Sequence, residues 1–317
     1  MARRLLLLLP ALALVASACS GGGSRSPSPG PTGPGIAAQV ASADLYVGAP
    51  QRLLVGAFAD DGRFLSFGTA TFRISYTGPA DAPLPQPRLV AEEPAAFIPT
   101  PGMPDGRGRG PALTQPSEAR GVYQAEGLRF ERPGVYVVQL AAEVEGVGRV
   151  SAEATFSVAA RPALPAPGDA APRTENLTVD SDVPPEAIDS RAVETGRIPD
   201  PELHRWTIGE AIRQGRPAVV VFATPVYCIS RFCGPVVSAV EDLARRYGNR
   251  AAFIHVEIWK RFDTQVNQAA ARWLTLPDGN LVEPWLYLIG PDGVIVDRWG
   301  VLWDPREVAA EIASLPA

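Results

Sequence analysis

The stretch AVVVFATPVYCISRFCGPV, Ala218–Val236, decides the fold of the C-terminal part of the chain. Its first six residues are continuously apolar, the pattern of a strand buried on both faces. Two cysteines follow, Cys228 and Cys233, and Gly234-Pro235 then opens an amphipathic run. Val237, Val240, Ala244 and Tyr247 fall near one helical face, and Gly248-Asn249 ends it. Proline is tolerated in the first turn of a helix but costs about 3 kcal/mol in its interior. Pro235 therefore reads as the helix start, leaving both cysteines in the loop before it. On one continuous helix, residues so spaced would have Cα atoms roughly 8 Å apart, beyond disulfide reach. A loop can close the pair.

Working outward, the chain alternates strands and helices. Thr207-Ile-Gly-Glu210 reads as a capping box opening a helix that Gly215 ends. Beyond the cysteines come a strand over 252–258 and a helical or irregular stretch over 266–273. A hairpin follows, Trp285–Ile289 and Val294–Trp299 around Pro291-Asp-Gly293, and a closing helix runs over about 304–315.

This order of elements resembles the thioredoxin fold from about Asp200 to the C-terminus. Cys233-Gly-Pro-Val236 is similar to the Cys-Gly-Pro-Cys site of that family with Val236 in place of the second cysteine. Glu283-Pro284-Trp285 is similar to the segment whose cis-proline faces the active-site disulfide. The resemblance implies thiol–disulfide exchange through Cys228 and Cys233 without a cofactor, with Pro284 helping to hold the substrate chain. The sequence departs from the family in three places. The pair is Cys-x4-Cys, Tyr227 replaces the tryptophan before the first cysteine, and Val221 stands where the family carries a buried aspartate. Free N–H groups at a helix N-terminus stabilise a thiolate, and Arg231 adds a cation, which points to Cys233 as attacker and Cys228 as resolving partner. Thioredoxins use the opposite order.

Other chemistries fit the same cysteines. A plain disulfide staple in an oxidising compartment is one, although so short a loop contributes only about 2 kcal/mol. The non-catalytic alternative is an envelope binding or scaffold protein carrying that staple. The loop also resembles the Cys-x4-Cys of some peroxiredoxins, whose proline and hydroxyl lead-in would fall on Val221 and Pro225. Thioredoxin-fold copper chaperones use Cys-x3-Cys and a distal histidine; the spacing here differs by one and no histidine follows His255, yet two thiolates and one imidazole could hold Cu(I). His255 and Glu257 alternate on one strand and so share a face. Either could carry protons in place of the missing aspartate, or the two could form a satisfied buried pair. His204, in a proline-rich lead-in, reads as a surface residue.

The first part of the chain is different. Residues 1–19 read as a signal peptide: Arg3 and Arg4, an apolar run over Leu5–Val15, then Ala16-Ser-Ala-Cys19. The ending resembles a bacterial lipoprotein cleavage site, which implies lipidation at Cys19 and an extracytoplasmic protein anchored to a bacterial membrane. Residues 20–35 are a Gly/Ser/Pro tether. Residues 36–160 show short β-patterned runs and no helical period, the signature of a β-sandwich. Phe130-Glu-Arg-Pro-Gly-Val-Tyr136 resembles the tyrosine corner of immunoglobulin-like folds. The Pro/Gly-rich insertion over 79–121 reads as a long loop. Residues 161–199 read as a linker and 200–317 as the thioredoxin-like domain. The fold class expected is thus an all-β immunoglobulin-like domain followed by an α/β domain.

A net charge of −5 without basic clusters argues against nucleic acid as a partner. Protein thiols and disulfides of the cell envelope, an unidentified redox partner, and the membrane through the lipid are the partners expected.

Overall fold

The computed structural model describes residues 34–228 and 231–316. The expected signal peptide, Cys19 and nearly all of the tether lie outside the described residues. What is described forms one compact unit, β-rich, with several sheets and four α-helices.

The first half is antiparallel. Its strands are β1 (Ile36–Val40), β2 (Pro50–Ala59), β3 (Phe64–Ser66), β4 (Thr69–Gly78), β5 (Arg88–Pro99), β6 (Ala112–Thr114), β7 (Gly121–Arg129), β8 (Gly134–Val144) and β9 (Gly148–Val158). They form one hydrogen-bonded path, β6-β3-β2-β7-β5-β4-β8-β9, with β1 on β2. The corner is β5, which pairs with β4 over Arg88–Ala96 and with β7 over Ala96–Pro99. Alternate residues of β2, β4 and β8, among them Leu53, Val55, Phe72, Ile74, Val138 and Leu140, fill an apolar core. Phe130, Tyr136 and Phe156 pack against one another, with ring centroids 5.0–5.8 Å apart. The Tyr136 hydroxyl donates to the Arg132 carbonyl at 2.7 Å.

The insertion over 79–121, expected as a loop, carries β5 and β6. The outer part of β5 is exposed on both faces, so its backbone pairs without any hydrophobic alternation to announce it.

The second half holds α1 (Ile208–Arg213), β10 (Ala218–Ala223), α2 (Cys233–Tyr247), β11 (Ala252–Glu257), β12 (Trp259–Arg261), β13 (Gln265–Val266), α3 (Gln268–Leu274), β14 (Trp285–Ile289), β15 (Ile295–Gly300) and α4 (Pro305–Ser314). Its main sheet runs β11-β10-β14-β15, with β10 parallel to β11 and antiparallel to β14. Both faces are covered. Val219 and Val221 face α2 and α4, whereas Val220 and Phe222 face α1 and α3. That is why β10 reads as an unbroken apolar run.

The halves share a core. Leu54, Ile98 and Val122 from the first half lie in the same apolar cluster as Val221, Cys233, Leu286 and Trp303. Residues 161–199, read as the linker, bury side chains of their own. Leu164 and Ala171 are buried, and Ala170 bridges to Val294. Asn176 is buried too: its Oδ1 accepts from the Ile208 N–H at 2.8 Å and its Nδ2 donates to the Trp206 carbonyl.

Candidate functional site

Cys228 and Cys233 are joined by a disulfide, with Cα atoms 6.0 Å apart. The helix begins at Cys233 rather than at Pro235. Proline fits the third helical position because N–H groups of the first turn have no intrahelical acceptor to lose. Cys233 therefore sits at the N-terminus of α2, and Cys228 lies in the preceding loop, its N–H donating to the Thr224 carbonyl at 3.1 Å. Between them Arg231 takes a left-handed conformation, φ 61°, and turns the chain into the helix.

Burial separates the two sulfurs. Cys233 is fully buried in the shared core, while Cys228 is partly exposed. Helix position alone singled out Cys233 as attacker, but a sulfur with no exposure meets no incoming chain. Cys228 is thus the end of the bond that faces outward.

Cys228 lines a cleft of about 790 Å³. One wall comes from the first half, with Val40, Phe58, Phe64 and Arg120. The other comes from Leu281, Val282 and Glu283, and Arg231 and Phe232 lie beside the cysteine. The Glu283–Pro284 peptide is cis. Next to the loop, Tyr227 stacks on Phe262 with centroids 4.0 Å apart, and Val226 and Phe262 are half exposed. Apolar surface thus borders the accessible sulfur.

Behind the cysteines is a buried polar network. Asp189 is completely buried, accepts from the Arg191 guanidinium at 2.6 Å, and meets His204 Nε2 at 3.3 Å and His255 Nδ1 at 3.4 Å on the same oxygen. Burial would raise the Asp189 pKa, but the contacts from His204, His255 and Arg191 outweigh it and hold the carboxyl well below the usual range. The two imidazoles split. Burial pushes His204 down, whereas for His255 the pairing with Asp189 outweighs burial and raises it. His204, expected at the surface, is instead part of this core, because Asp189 supplies the acceptor that burial demands.

His255 and Glu257 do share the sheet face toward α2, but each has partners already. His255 Nε2 lies 3.1 Å from the Ala223 carbonyl. Glu257 accepts from the N–H groups of Ser190, Ile258 and Trp259. Burial raises the Glu257 pKa.

The residue that sequence reasoning did not assign is Glu283. One of its carboxyl oxygens lies within 4.8 Å of both sulfurs. Burial first, and then the charge of Glu257, push its pKa up to about 7. The only signal in the sequence was its place before Pro284. Among the described residues, two sets of side chains gather donors as a metal ion would need, this one and Asp189/His204/His255. In the first the sulfurs are bonded to each other. In the second the Arg191 guanidinium already occupies Asp189.

No family model matches the chain, and no curated protein matches it in sequence.

Proposed function

We propose that the chain is an extracytoplasmic thiol–disulfide oxidoreductase, anchored to a bacterial membrane through lipidated Cys19, with Cys228 as the sulfur that forms the mixed disulfide. The observation that carries the reading is the division of labour in one bond. A partly exposed Cys228 on a cleft is bonded to a buried Cys233 at a helix N-terminus. An incoming thiolate reaches Cys228, and Cys233 leaves as a sulfur whose charge the first N–H groups of α2 stabilise. A purely structural bond gains nothing from this arrangement.

Two fold-level readings accompany the proposal. The order β11-β10-β14-β15, with its parallel pair at one side and α2 following β10, supports a thioredoxin-like second half. The Tyr136–Arg132 hydrogen bond supports an immunoglobulin-like first half, since a tyrosine corner is built on such a contact. That half also walls the cleft, which gives it a part in choosing substrate.

Titrating the pair against glutathione tests the function. A working pair equilibrates with the glutathione couple and supports reduction of insulin, and Cys228→Ser abolishes that turnover. A bond that stays closed below about −300 mV and leaves insulin intact is a staple of a binding or scaffold protein.

A further inference from the structure

Breaking the Cys228–Cys233 bond deposits an electron pair on Cys233. That sulfur lies in an apolar cluster with Val221, Val236 and Val237, where an unpaired charge is costly. The helix N-terminus stabilises it in part, but completing the reaction requires a proton. Val221 offers none. Two neighbouring titratable groups are committed: His255 to Asp189 and the Ala223 carbonyl, and Glu257 to three backbone N–H groups. Glu283 differs from both. Its carboxyl accepts one hydrogen bond from the Thr224 backbone, but its Oε2 is buried with no hydrogen-bond partner among the described residues, and a carboxyl oxygen lies within 4.8 Å of both sulfurs. That separation permits transfer through one water.

We propose that Glu283 is the acid–base residue of the pair, giving its proton to Cys233 when the disulfide opens and taking it back when it closes. The inference rests on the exchange reading above. A substrate thiolate attacks Cys228 Sγ, forming the mixed disulfide and breaking the Cys228–Cys233 bond. Cys233 leaves with the electron pair and takes the proton of the Glu283 carboxyl. The Glu283 carboxylate then accepts the proton of the second substrate thiol as that sulfur attacks the mixed disulfide. The substrate leaves oxidised by two electrons, and Cys228 leaves as a thiolate. Both substrate protons are accounted for, one in solution from the first thiol and one on Glu283. The reverse sequence reduces a substrate disulfide.

Several charged or titratable groups surround the carboxyl. Cys228 and Arg231 come from the loop after β10, and Cys233 from α2. Glu257 comes from β11 with His255 beside it on the strand, and Arg120 lies across the cleft. Burial and Glu257 keep Glu283 protonated up to about pH 7, so that it can act as a donor near neutrality.

The test is the rate at which glutathione opens the disulfide of the full chain between about pH 5.5 and 9, expressed per glutathione thiolate. In the wild type this rate falls at least about tenfold as pH rises, with a midpoint near the Glu283 pKa. Glu283→Gln removes the inflection, and Glu283→Asp, which keeps a titrating carboxyl, retains one. An unchanged inflection in Glu283→Gln, or a flat wild-type profile, overturns the assignment. Carbon-13 titration of the wild-type carboxyl checks the same point without a variant: a midpoint in the ordinary glutamate range overturns it. Glutathione needs no recognition by the cleft. A normal inflection combined with no turnover of insulin would therefore overturn the proposed function and leave the role of Glu283 standing.

Discussion

Asp189 is the residue on which the polar core depends. It alone gathers Arg191, His204 and His255. Replacing it with asparagine leaves the buried, raised His255 imidazole without its anion, while Arg191 keeps Asp200 at 2.9 Å and Glu241 at 2.7 Å, at a cost of about 3 kcal/mol in unfolding free energy measured with urea. The pH dependence has a definite sign. Because the folded pKa of Asp189 lies below its unfolded value of about 3.9, its contribution is complete above that value and is lost as pH falls toward the folded pKa. Wild-type stability therefore declines in acid, and Asp189→Asn shows a shallower acid limb. A variant equal to wild type in stability and slope would place Asp189 outside the network. At this scale the sequence spoke unevenly. Cysteines are rare enough to stand out, and His255 and Glu257 were legible from strand alternation. Asp189 and Glu283 were not, because what makes each of them special is a neighbour far away in the chain. His204 was misread for the same reason, since a proline-rich lead-in looks exposed until its partner is known.

At the scale of elements, the helix behind the cysteines is set by more than its proline. α2 starts at Cys233, and the Val236 N–H already donates to the Phe232 carbonyl at 2.9 Å, with Pro235 inside the first turn. Pro235→Ala should therefore leave the helix start and the disulfide in place and change stability by less than about 1 kcal/mol, chiefly through the unfolded chain. Thermal unfolding checks the size of the change, and loss of the disulfide in oxidised protein would show that the proline is structural after all. Elements with strong periodicity or clear caps were readable. β10, α1, the β14–β15 hairpin and α4 emerge where the apolar pattern and the turn residues put them, and Thr207 caps α1 by accepting from the Glu210 N–H at 3.0 Å. β1, β3, β5 and β6 escaped. β3 and β6 are three residues each, and β1 and the outer part of β5 bury too little on either face to leave a pattern.

Across the whole molecule, the halves are fastened by arginines as well as by apolar contact. Arg298 on β15 pairs with Asp44 at 2.8 Å, donates to the Leu164, Pro165 and Asp44 carbonyls, and lies over the Trp285 ring at 5.0 Å. Arg52 on β2 reaches Asp297 at 2.7 Å and also Glu307. Arg298→Leu leaves Asp44 buried without its cation and should cost about 3–5 kcal/mol. Calorimetry should then resolve two transitions where the wild type shows one, because the shared core no longer binds the halves into a single cooperative unit. One unchanged transition would mean that the apolar cluster suffices. This coupling was invisible in the sequence, where composition breaks mark boundaries but do not show what packs across them. It also bears on function, since the cleft over Cys228 exists only while the halves stay together. The central claim is that Cys228 receives the substrate and Cys233 resolves it, and trapping tests this most directly. Reduced Cys233→Ser protein mixed with insulin should accumulate a covalent adduct on Cys228, identified by mass. Cys228→Ser should give less than about a tenth as much, because its remaining sulfur is buried. Equal adducts on both variants, or none on either, would contradict the account.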